Sequence, residues 1–418
     1  MTWPLRLYRR AAGGASPLIG WHLRRRAARG KEDPDRLDER LGRALATRPE
    51  GGLVWIHGAS VGESLSALPV IAEIERGGAR CLLTTGTVSS AQLLAKKTPD
   101  LLHRFAPVDT PAAVAGFLDT WRPDAALWME SELWPNLVHE TAARGVPMAL
   151  VNARLSATSA RNWSYAKASA AALLGAFSLR LAQTETVRAR LLRLGADPSM
   201  TVVTGDLKAS RVADPVDETL LADLRAAVSG RPLWLAASTH PGDEAAVMEA
   251  HEALGIPGLL TIIAPRHAER GADIAAMAQA RGLSVTRRSM GGAPTGAVYI
   301  ADTMGELSLW YALSPVALIG GGWDGIGGHN PLEAAPHACA ILSGDDVPNF
   351  AETYERLSKA GAVRLLPSRR DLGPALRAAM GGEGAAMGVA AKQAGAPDPA
   401  PLARTMAHLR PLLERAFS

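Results

Sequence analysis

The chain has 418 residues, 47% of them apolar and 21% charged, which is the composition of a globular protein long enough for two domains. The net charge is only +4 at pH 7, and this balance argues against a nucleic-acid-binding protein. Two cysteines, Cys81 and Cys339, stand in apolar runs. They predict buried free thiols and argue against a disulfide framework or a zinc site.

Residues 1–50 differ from the rest of the chain in charge. Up to Lys31 there are eight Lys or Arg and no Asp or Glu, and apolar residues such as Trp3, Leu18 and Trp21 lie among them. The apolar run at 11–21 is shorter than the ~20 residues that span a bilayer. We therefore predict a basic amphipathic arm and a lead-in helix that associate with an anionic membrane surface, with a solvated basic arm as the alternative.

From residue 53, apolar runs of strand length alternate with amphipathic runs of helix length. The strand-like runs of the first half are LVWIH, RCLLTT, AALWM, PMALVNA, RLAQT and TVVTG. Continuous apolar strands indicate a parallel sheet that is covered on both faces. Residues 51–208 are therefore predicted to form an N-terminal α/β domain.

A polar stretch predicts an interdomain linker at 209–222, after which the pattern restarts. LWLAAS, LLTIIAP, LSVTR, AVYIAD, VALIGGG and CAILSG predict the strands of a second α/β domain at 223–418. A Gly/Ala/Pro-rich stretch at 380–401 predicts a loop before a last helix, which either stays with this domain or packs back on the first. The predicted fold is α/β, with two tandem Rossmann-like domains facing a cleft.

Ligands of such folds bind at the carboxyl ends of the strands, so polar residues directly after strands are the functional candidates. The first candidate turn is WIHGASVGES, which matches the G-x-S-x-G turn of a serine hydrolase at Ser60. No earlier strand supplies an oxyanion-hole loop, which argues against a nucleophilic serine. Gly58 and Gly62 allow a sharp turn, and Glu63 at the following helix start is an ionised carboxylate able to accept a proton. The alternative for Glu63 is a helix-capping acid.

Two more candidate groups follow strands of the first domain. Glu130 and Glu132, in WMESELWPN, stand among tryptophans, where paired carboxylates are costly unless they have a use. The alternative is a pair of first-turn helix acids. Lys208, in TGDLKAS, follows the last strand of this domain and can stabilise developing negative charge.

The second domain carries several polar strand-to-helix turns, which together predict a nucleotide site. Their candidate residues are Ser238, Thr239, His240, Pro265, Arg266, Met304, Gly305, Glu306, His329, Asn330, Pro331, Leu332 and Glu333. A helix that begins at Pro331 would present backbone amides to a phosphate. Gly320, Gly322 and Gly325 also match G-x-G-x-x-G, but their late position argues against NAD.

The motifs HGASVGES, MESELWPN, VNARLS, GDLK, STHPGDE, PRH, DTMGEL and GGHNPLEAA occur in the order found in transferases of 3-deoxy-D-manno-octulosonic acid (Kdo). The chain resembles that family over nearly its whole length. The resemblance implies a glycosyltransferase B fold and transfer of Kdo from CMP-Kdo to the lipid A precursor with inversion, as a step in lipopolysaccharide biosynthesis. It also implies that no cofactor or metal is bound and that the protein works at the cytoplasmic face of the bacterial inner membrane.

The same resemblance implies roles for the residues that match the motifs. Glu63 corresponds to the catalytic base, and Glu130 and Lys208 correspond to residues that stabilise the transition state. Residues 265–266, 304–306 and 330–333 correspond to the CMP-binding segments. Candidate donor or acceptor contacts are Ser60, Gly62, Ser238, Thr239, His240 and His329. The arm is less apolar than the usual anchor of the family, and TTGTVSS departs from the usual sequence of its loop.

Two other functions stay open on the sequence alone. A nucleotide-sugar epimerase of the same fold would turn over without an acceptor and would need no basic arm. A non-catalytic relative that only binds lipid or nucleotide would have no need of the complete set of Glu63, Glu130, Lys208 and Glu333.

Overall fold

The computed structural model describes residues 1–43, 46–130, 133–210 and 216–417. The chain divides into two compact units, one comprising Met1–Arg211 and Pro397–Ser418 and the other Val212–Ala396. Each unit contains one seven-stranded parallel sheet. The buried apolar residues of each sheet form one cluster on either face, which confirms the predicted α/β class with two Rossmann-like units.

The N-terminal segment forms helices α1 (Trp3–Gly14), α2 (Ser16–Ala27) and the short α3 (Leu37–Arg40). One face of α1 docks on the first unit, where Leu5 is buried and the Tyr8 hydroxyl donates to Asp109 Oδ2 at 2.9 Å. Large apolar residues of α1 and α2 are exposed, among them Trp3 and Trp21. Within the described ranges, no helix is both long enough and apolar enough to cross a bilayer.

The sheet of the first unit has the strand order β3-β2-β1-β4-β5-β6-β7. Its strands are β1 (Leu53–His57), β2 (Arg80–Thr85), β3 (Leu102–Phe105), β4 (Ala125–Met129), β5 (Met148–Ala153), β6 (Leu179–Ala182) and β7 (Thr201–Val203). Its helices are α4 (Val61–Arg76), α5 (Val88–Lys97), α6 (Pro111–Trp121), α7 (Pro135–Ala143), α8 (Ala157–Ser164), α9 (Lys167–Leu174) and α10 (Glu185–Arg193). The sequence does not predict β3, because its first three residues are only partly buried at the sheet edge and form no apolar run.

The sheet of the second unit has the order β10-β11-β9-β8-β12-β13-β14. Its strands are β8 (Leu233–Thr239), β9 (Leu260–Pro265), β10 (Val285–Arg287), β11 (Val298–Ile300), β12 (Val316–Ile319), β13 (Ala340–Gly344) and β14 (Val363–Leu366). Its helices are α11 (Glu218–Ala227), α12 (Pro241–Leu254), α13 (Gly271–Ala280), α14 (Leu307–Leu313), α15 (Ala351–Lys359), α16 (Leu372–Ala378) and α17 (Gly384–Ala394). The sequence misses the edge strand β14, where Arg364 interrupts the apolar pattern.

Helix formation overrides two of the predicted irregular segments. The loop predicted at 380–401 is wrong over α17, where Met387 and Ala391 are buried and a Cβ at Gly388 would collide with the carbonyl of Ala338. Helix α11 begins inside the predicted linker, because the Asp217 side chain accepts a hydrogen bond from the Leu220 N–H at 3.0 Å and caps it.

The last helix, α18 (Ala400–Phe417), belongs to the first unit. Leu409, Leu412 and Leu413 join the apolar cluster that contains Val54 of β1. The chain therefore returns to the first unit after it has completed the second sheet, which is one of the two outcomes that the sequence leaves open.

Candidate active site

The centre of the first sheet is a topological switch point between β1 and β4. These strands are neighbours, and the strands that follow β1 and β4 in sequence lie on opposite sides of this point. Their register pairs His57 with Trp128, so the turns that carry Glu63 and Glu130 leave the same edge of the sheet. Ligands of doubly wound sheets bind in the crevice at such a point.

The Glu63 carboxylate is held by its own turn. Ser60 caps α4, and its hydroxyl donates to Glu63 Oε1 at 3.0 Å, while the Ala59 N–H donates to Oε2 at 2.7 Å. Glu63 is only 8% exposed. A Cβ at Gly58 would lie 3.2 Å from backbone atoms of Glu63, so a glycine fits this tight approach. Glu63 thus binds a backbone N–H at the start of its helix, as the capping alternative predicts. It is at the same time an oriented hydrogen-bond acceptor at the switch point.

The same geometry argues against a nucleophilic serine. The Ser60 hydroxyl binds a carboxylate of its own helix and caps that helix at the Glu63 N–H. The histidine nearest in sequence, His57, instead directs its Nδ1 to the Thr84 hydroxyl at 3.0 Å. Gly62 is exposed in the first turn of α4 with open space beside it, so no steric reason requires a glycine there.

A buried polar group that sequence reasoning overlooked lies directly beneath this turn. His57 is the last residue of β1, and Thr84 accepts a hydrogen bond from Trp55 Nε1 at 2.8 Å in addition to its contact with His57. Burial, reinforced by the charge of Arg40, lowers the pKa of His57 to about 4. The imidazole is therefore neutral at physiological pH. Its position at the end of an apolar strand, directly before Gly58, is the signal that could have identified it.

Glu130 and Lys208 form an ion pair at the second turn of this edge. Lys208 Nζ lies 2.7 Å from Glu130 Oε1, with side chains that are 30% and 13% exposed, respectively. Glu130 has a φ of +58°, a left-handed conformation that is uncommon outside glycine and often marks functional turns. Glu132, the second carboxylate of the predicted pair, lies outside the described residues.

Asn152 fixes the turn that carries Lys208. It is fully buried near the end of β5 with a φ of +53°, and its Oδ1 accepts a hydrogen bond from the Leu207 N–H at 3.0 Å. Sequence reasoning missed this residue, although an asparagine inside the apolar run PMALVNA is a detectable signal. Asn152 is therefore a positioning residue for the short 3₁₀ turn at Leu207–Ser210.

The second sheet repeats the switch point between β8 and β12. A pocket of about 90 Å³ opens beside it and is lined by five of the predicted residues, namely Ser238, Pro265, Arg266, Met304 and Gly305. Ser238 has a φ of +55° and stands where the register of β8 and β9 shifts. The buried Thr239 hydroxyl has no hydrogen-bond partner among the described residues. The predicted segments at the ends of β8, β9 and β11 are thus brought together.

Asp243 joins the two loops that flank this switch point. Its Oδ2 accepts hydrogen bonds from the N–H groups of His240 and Gly321, both at 2.9 Å. A Cβ at Gly320 would lie 2.6 Å from the Ser238 carbonyl oxygen, so the two loops approach too closely for a side chain. Gly320 and Gly322 of the G-x-G-x-x-G string therefore serve loop packing, which agrees with the argument against NAD, while Gly325 has open space beside it and a φ of +71°.

His240 and His329 meet across the same two loops. Their Nε2 atoms are 2.9 Å apart, and their rings are inclined by only 7°. Burial is the main cause that lowers the pKa of both imidazoles, that of His329 to about 4, and the charge of Arg266 adds to it. The ring of His267 lies 6.1 Å from that of His240.

One predicted CMP-binding segment differs from the expected secondary structure. The helix predicted at Pro331 is wrong: residues Pro331–Glu333 form a single 3₁₀ turn, which Asn330 caps by accepting from the Leu332 N–H at 3.1 Å. A turn of this length has little dipole to offer a phosphate.

Glu306 is engaged by a cation that sequence reasoning did not select. Arg288 donates to both of its carboxylate oxygens, at 2.8 and 3.1 Å. Glu306 also directly precedes α14 and is hydrogen bonded to the Thr303 hydroxyl. The carboxylate therefore orders the turn beside the pocket that Met304 and Gly305 line.

Comparison with known proteins identifies the family. A family model described as 3-deoxy-D-manno-octulosonic-acid transferase (kdotransferase) matches residues 35–211. A probable mitochondrial 3-deoxy-D-manno-octulosonic acid transferase of Arabidopsis thaliana is 37% identical over 375 residues, which cover 86% of this chain and 83% of that protein. The 3-deoxy-D-manno-octulosonic acid transferase of Bordetella pertussis is 35% identical, with 87% and 88% covered. The chain belongs to the Kdo transferase family.

Solved structures place this family member in the glycosyltransferase B fold. A glycosyltransferase from Rickettsia africae aligns with a TM-score of 0.59 over 88% of this chain and all of that chain (100%), at 11% identity. A UDP-GlcNAc 2-epimerase from Neisseria meningitidis aligns with a TM-score of 0.57, at 13% identity, over 87% and 100% of the two chains. Identities this low report the fold alone. The epimerase alternative is not favoured, because curated relatives that are 33–37% identical to this chain are Kdo transferases.

Proposed function

We propose that this Kdo transferase moves Kdo from CMP-Kdo to a lipid A precursor, with inversion at the anomeric carbon. Family membership supports the sugar and the reaction class. The structural observation that carries the proposal is the Glu63 carboxylate, which Ser60 and Ala59 orient at the switch point of the first sheet. An oriented carboxylate at that position is suited to general-base catalysis.

Glu63 accepts the proton of an acceptor hydroxyl, in this proposal the 6-hydroxyl of a glucosamine. As the proton leaves, the hydroxyl oxygen forms a bond to the anomeric carbon of Kdo, and the bond from that carbon to the phosphate oxygen breaks. CMP departs as an anion, and a single displacement inverts the anomeric carbon. The Lys208 ammonium, positioned by Glu130, supplies positive charge for the carboxylate of Kdo and for charge that develops in the transition state.

We assign acceptor binding to the domain at 51–208 and CMP binding to the second unit. The pocket at the ends of β8 and β9 has one exposed guanidinium, that of Arg266, which suits a phosphate. Met304 and Gly305 line the same pocket, and the Arg288–Glu306 pair supports their turn. In this assignment the segment at 330–333 contacts the nucleotide through polar side chains, not through a helix terminus.

A transfer assay tests the proposal. Purified protein is mixed with tetra-acylated lipid A precursor and with CMP-Kdo that is generated in the same reaction because it is labile, and mass spectrometry reads the products. A mass gain of one or more Kdo units is expected. If the donor supply is verified, several detergents are tried and no gain occurs, the proposed acceptor is wrong. Enzyme-dependent turnover of the CMP-sugar without any acceptor, above the spontaneous hydrolysis of CMP-Kdo, would support the epimerase class.

We further propose that α1 and α2 hold the enzyme at the cytoplasmic face of the bacterial inner membrane as a peripheral protein. Trp3, Leu7, Leu18 and Trp21 are exposed, and Trp21 lies under the guanidinium of Arg25 at 5.6 Å. Apolar side chains interleaved with arginines suit an anionic lipid surface.

Vesicle sedimentation tests this location. Phosphatidylglycerol-containing vesicles are expected to bind the protein, and the double variant Trp3→Ala/Trp21→Ala is expected to bind about tenfold more weakly. Met290→Ala, which removes another exposed apolar side chain in the second unit, is the matched control and is expected to bind normally. Equal binding of both variants would contradict the role of the arm.

A further inference from the structure

The His240–His329 contact constrains how many protons the two imidazoles can hold. A contact of 2.9 Å between two Nε2 atoms requires that one nitrogen donates a hydrogen and the other accepts it. The two rings are then in opposite tautomers, and the donor ring keeps an unprotonated Nδ1. The pair can take up one proton at that Nδ1 and preserve the contact. A second proton would leave both Nε2 atoms carrying a hydrogen and both rings positively charged, so the contact would become repulsive.

The charges around the pair keep it neutral in the absence of a ligand. The guanidinium of Arg266, which is exposed after β9, lies near the pair. The acids near His240 are already engaged: Asp243 by two backbone N–H groups, Glu244 by Arg270, and Asp324 by Arg369. Burial and the charge of Arg266 lower the pKa of both imidazoles, that of His329 to about 4.

The pair lies where ligands bind in a doubly wound sheet. His240 directly precedes α12, a helix of 14 residues, and His329 belongs to the loop that follows β12, so the pair spans the switch point of the second sheet. Thr239, which directly precedes His240, is completely buried, and its hydroxyl has no hydrogen-bond partner within the described ranges. An anion bound between this helix start and Arg266 would accept hydrogen bonds from backbone N–H groups and from the guanidinium, and it would favour a charged imidazole.

We propose that the His240–His329 pair takes up one proton from solvent when the phosphate of CMP lies beside it, and so balances the charge that this phosphate gains during transfer. In CMP-Kdo the phosphate is a diester with one negative charge. When the bond between the anomeric carbon and the phosphate oxygen breaks, the electron pair stays on that oxygen, and the phosphate becomes a dianionic monoester. The acceptor proton goes to Glu63, while the proton from solvent goes to the unprotonated Nδ1 of the donor ring. The inference rests on the proposed function, since it assigns CMP to the second unit.

Calorimetry of CMP binding to the full chain tests the proposal at about pH 8, where a phosphate monoester with a second pKa of about 6 is already a dianion. Titrations in buffers with different ionisation enthalpies give the number of protons bound with the ligand. Net proton uptake is expected for CMP, and it is expected to rise towards one proton when the titration is repeated at about pH 7. Cytidine, which has no phosphate, is expected to bind more weakly and without uptake. This comparison needs no variant, so it does not depend on whether a substituted protein folds.

Two variants locate the proton. His240→Asn and His329→Asn are expected to abolish the uptake while CMP still binds, about tenfold more weakly. His408→Asn, an exposed histidine of the first unit, is the control and is expected to behave as the unchanged protein. CMP binding without proton uptake, or uptake that survives in both variants, would overturn the inference and leave the proposed function intact. No CMP binding at all would overturn the proposed function and the inference with it.

Discussion

The ammonium of Lys208 lies 2.7 Å from Glu130 Oε1, although 78 residues separate the two in the chain. Lys208 follows β7, the edge strand of the first sheet, and its side chain reaches Glu130 at the central switch point. Asn152 fixes the backbone of the Lys208 turn from below. The cation at this edge therefore depends on Glu130 for its position, and the two residues are expected to act as one functional group.

We predict that Glu130→Gln, Lys208→Met and the double variant lose transfer to a similar extent, about 10²–10³-fold in kcat. Either single change removes the ion pair, so the second change should cost little more. Single-turnover kinetics of the four proteins give this comparison. Each single variant should lose only about 1–2 kcal/mol of stability, because the lysine is 30% exposed.

The control for this pair is Glu252→Gln, which breaks the Arg281–Glu252 ion pair on the second unit (2.9 Å). It is expected to leave transfer unchanged. Losses that simply add in the double variant would contradict the coupled role of Glu130 and Lys208.

For the proposed base, Glu63→Gln is expected to lower kcat by about 10²–10⁴-fold and to keep CMP affinity within about twofold. The amide keeps the size of the side chain and can still accept from the Ala59 N–H, but it cannot take a proton at neutral pH. Transfer rates and CMP calorimetry on the same preparation separate the two effects. A comparable loss of CMP affinity would contradict the assignment of Glu63 as the base.

Ser60→Ala is expected to lower kcat about tenfold and to raise the pKa of the acid limb of the pH–rate profile. The serine hydroxyl donates to the Glu63 carboxylate, and loss of that hydrogen bond favours the protonated acid. Ser60→Thr should restore both values. If Ser60→Ala abolished turnover as completely as Glu63→Gln, the nucleophilic serine would return as a hypothesis.

Asp217→Ala provides the matched control for Ser60→Ala. It also removes the N-cap of a helix, α11, and should cost about 1 kcal/mol of stability, as loss of the Ser60 cap does. It is expected to leave the pH–rate profile of transfer unchanged. A shift as large as that of Ser60→Ala would show that cap loss, not the orientation of Glu63, is responsible.

The free energy of unfolding is predicted to fall between about pH 6.5 and pH 4. Burial lowers the pKa of His57 to about 4, below the unfolded value of about 6.5, so the unfolded chain binds more protons in that interval. The contribution of His57 is fully present above about pH 6.5 and is lost as pH falls through 4, by about 3 kcal/mol. Urea unfolding at a series of pH values measures it.

His57→Gln is expected to flatten this pH dependence, and the exposed His408→Gln is expected to keep it. His103 adds to the same trend, because burial and the charges of Arg36 and Arg104 lower its pKa to about 4 as well. An identical slope in His57→Gln and the unchanged protein would show that the buried imidazole is not the source.

Most strands could be read from the sequence, because a strand covered on both faces is a continuous apolar run. LVWIH and AALWM are fully buried in the structure, as the runs predict. The edge strands β3 and β14 escaped, since a strand with solvent on one side carries residues such as Arg104 and Arg364. Helix α17 was not predicted, because its alanine and glycine residues give no periodic apolar pattern. Its close packing against Ala338 favours such small residues.

For the candidate site, too, some features can be read from the sequence and others only from the structure. Sequence alone identifies Glu63, Glu130 and Arg266 as candidates. Glu130 and Arg266 directly follow a strand, and Glu63 stands in the first turn of the helix that comes after one. The position of a residue along an element is local information. The family resemblance, carried by long motifs, is likewise present in the sequence and agrees with the comparison to known proteins.

Only the tertiary structure decides which of these residues meet. The order of strands in a sheet does not follow their order in the chain, so the contacts of Lys208 with Glu130 and of His240 with His329 cannot be inferred from spacing. Asp243 and Asn152 each accept a hydrogen bond from a backbone N–H of a loop that is far away in sequence, and this contact defines their roles. The sequence by itself thus determined the layers of the fold and the chemical groups at its edge. Chain crossover and close backbone packing determined how those groups are paired.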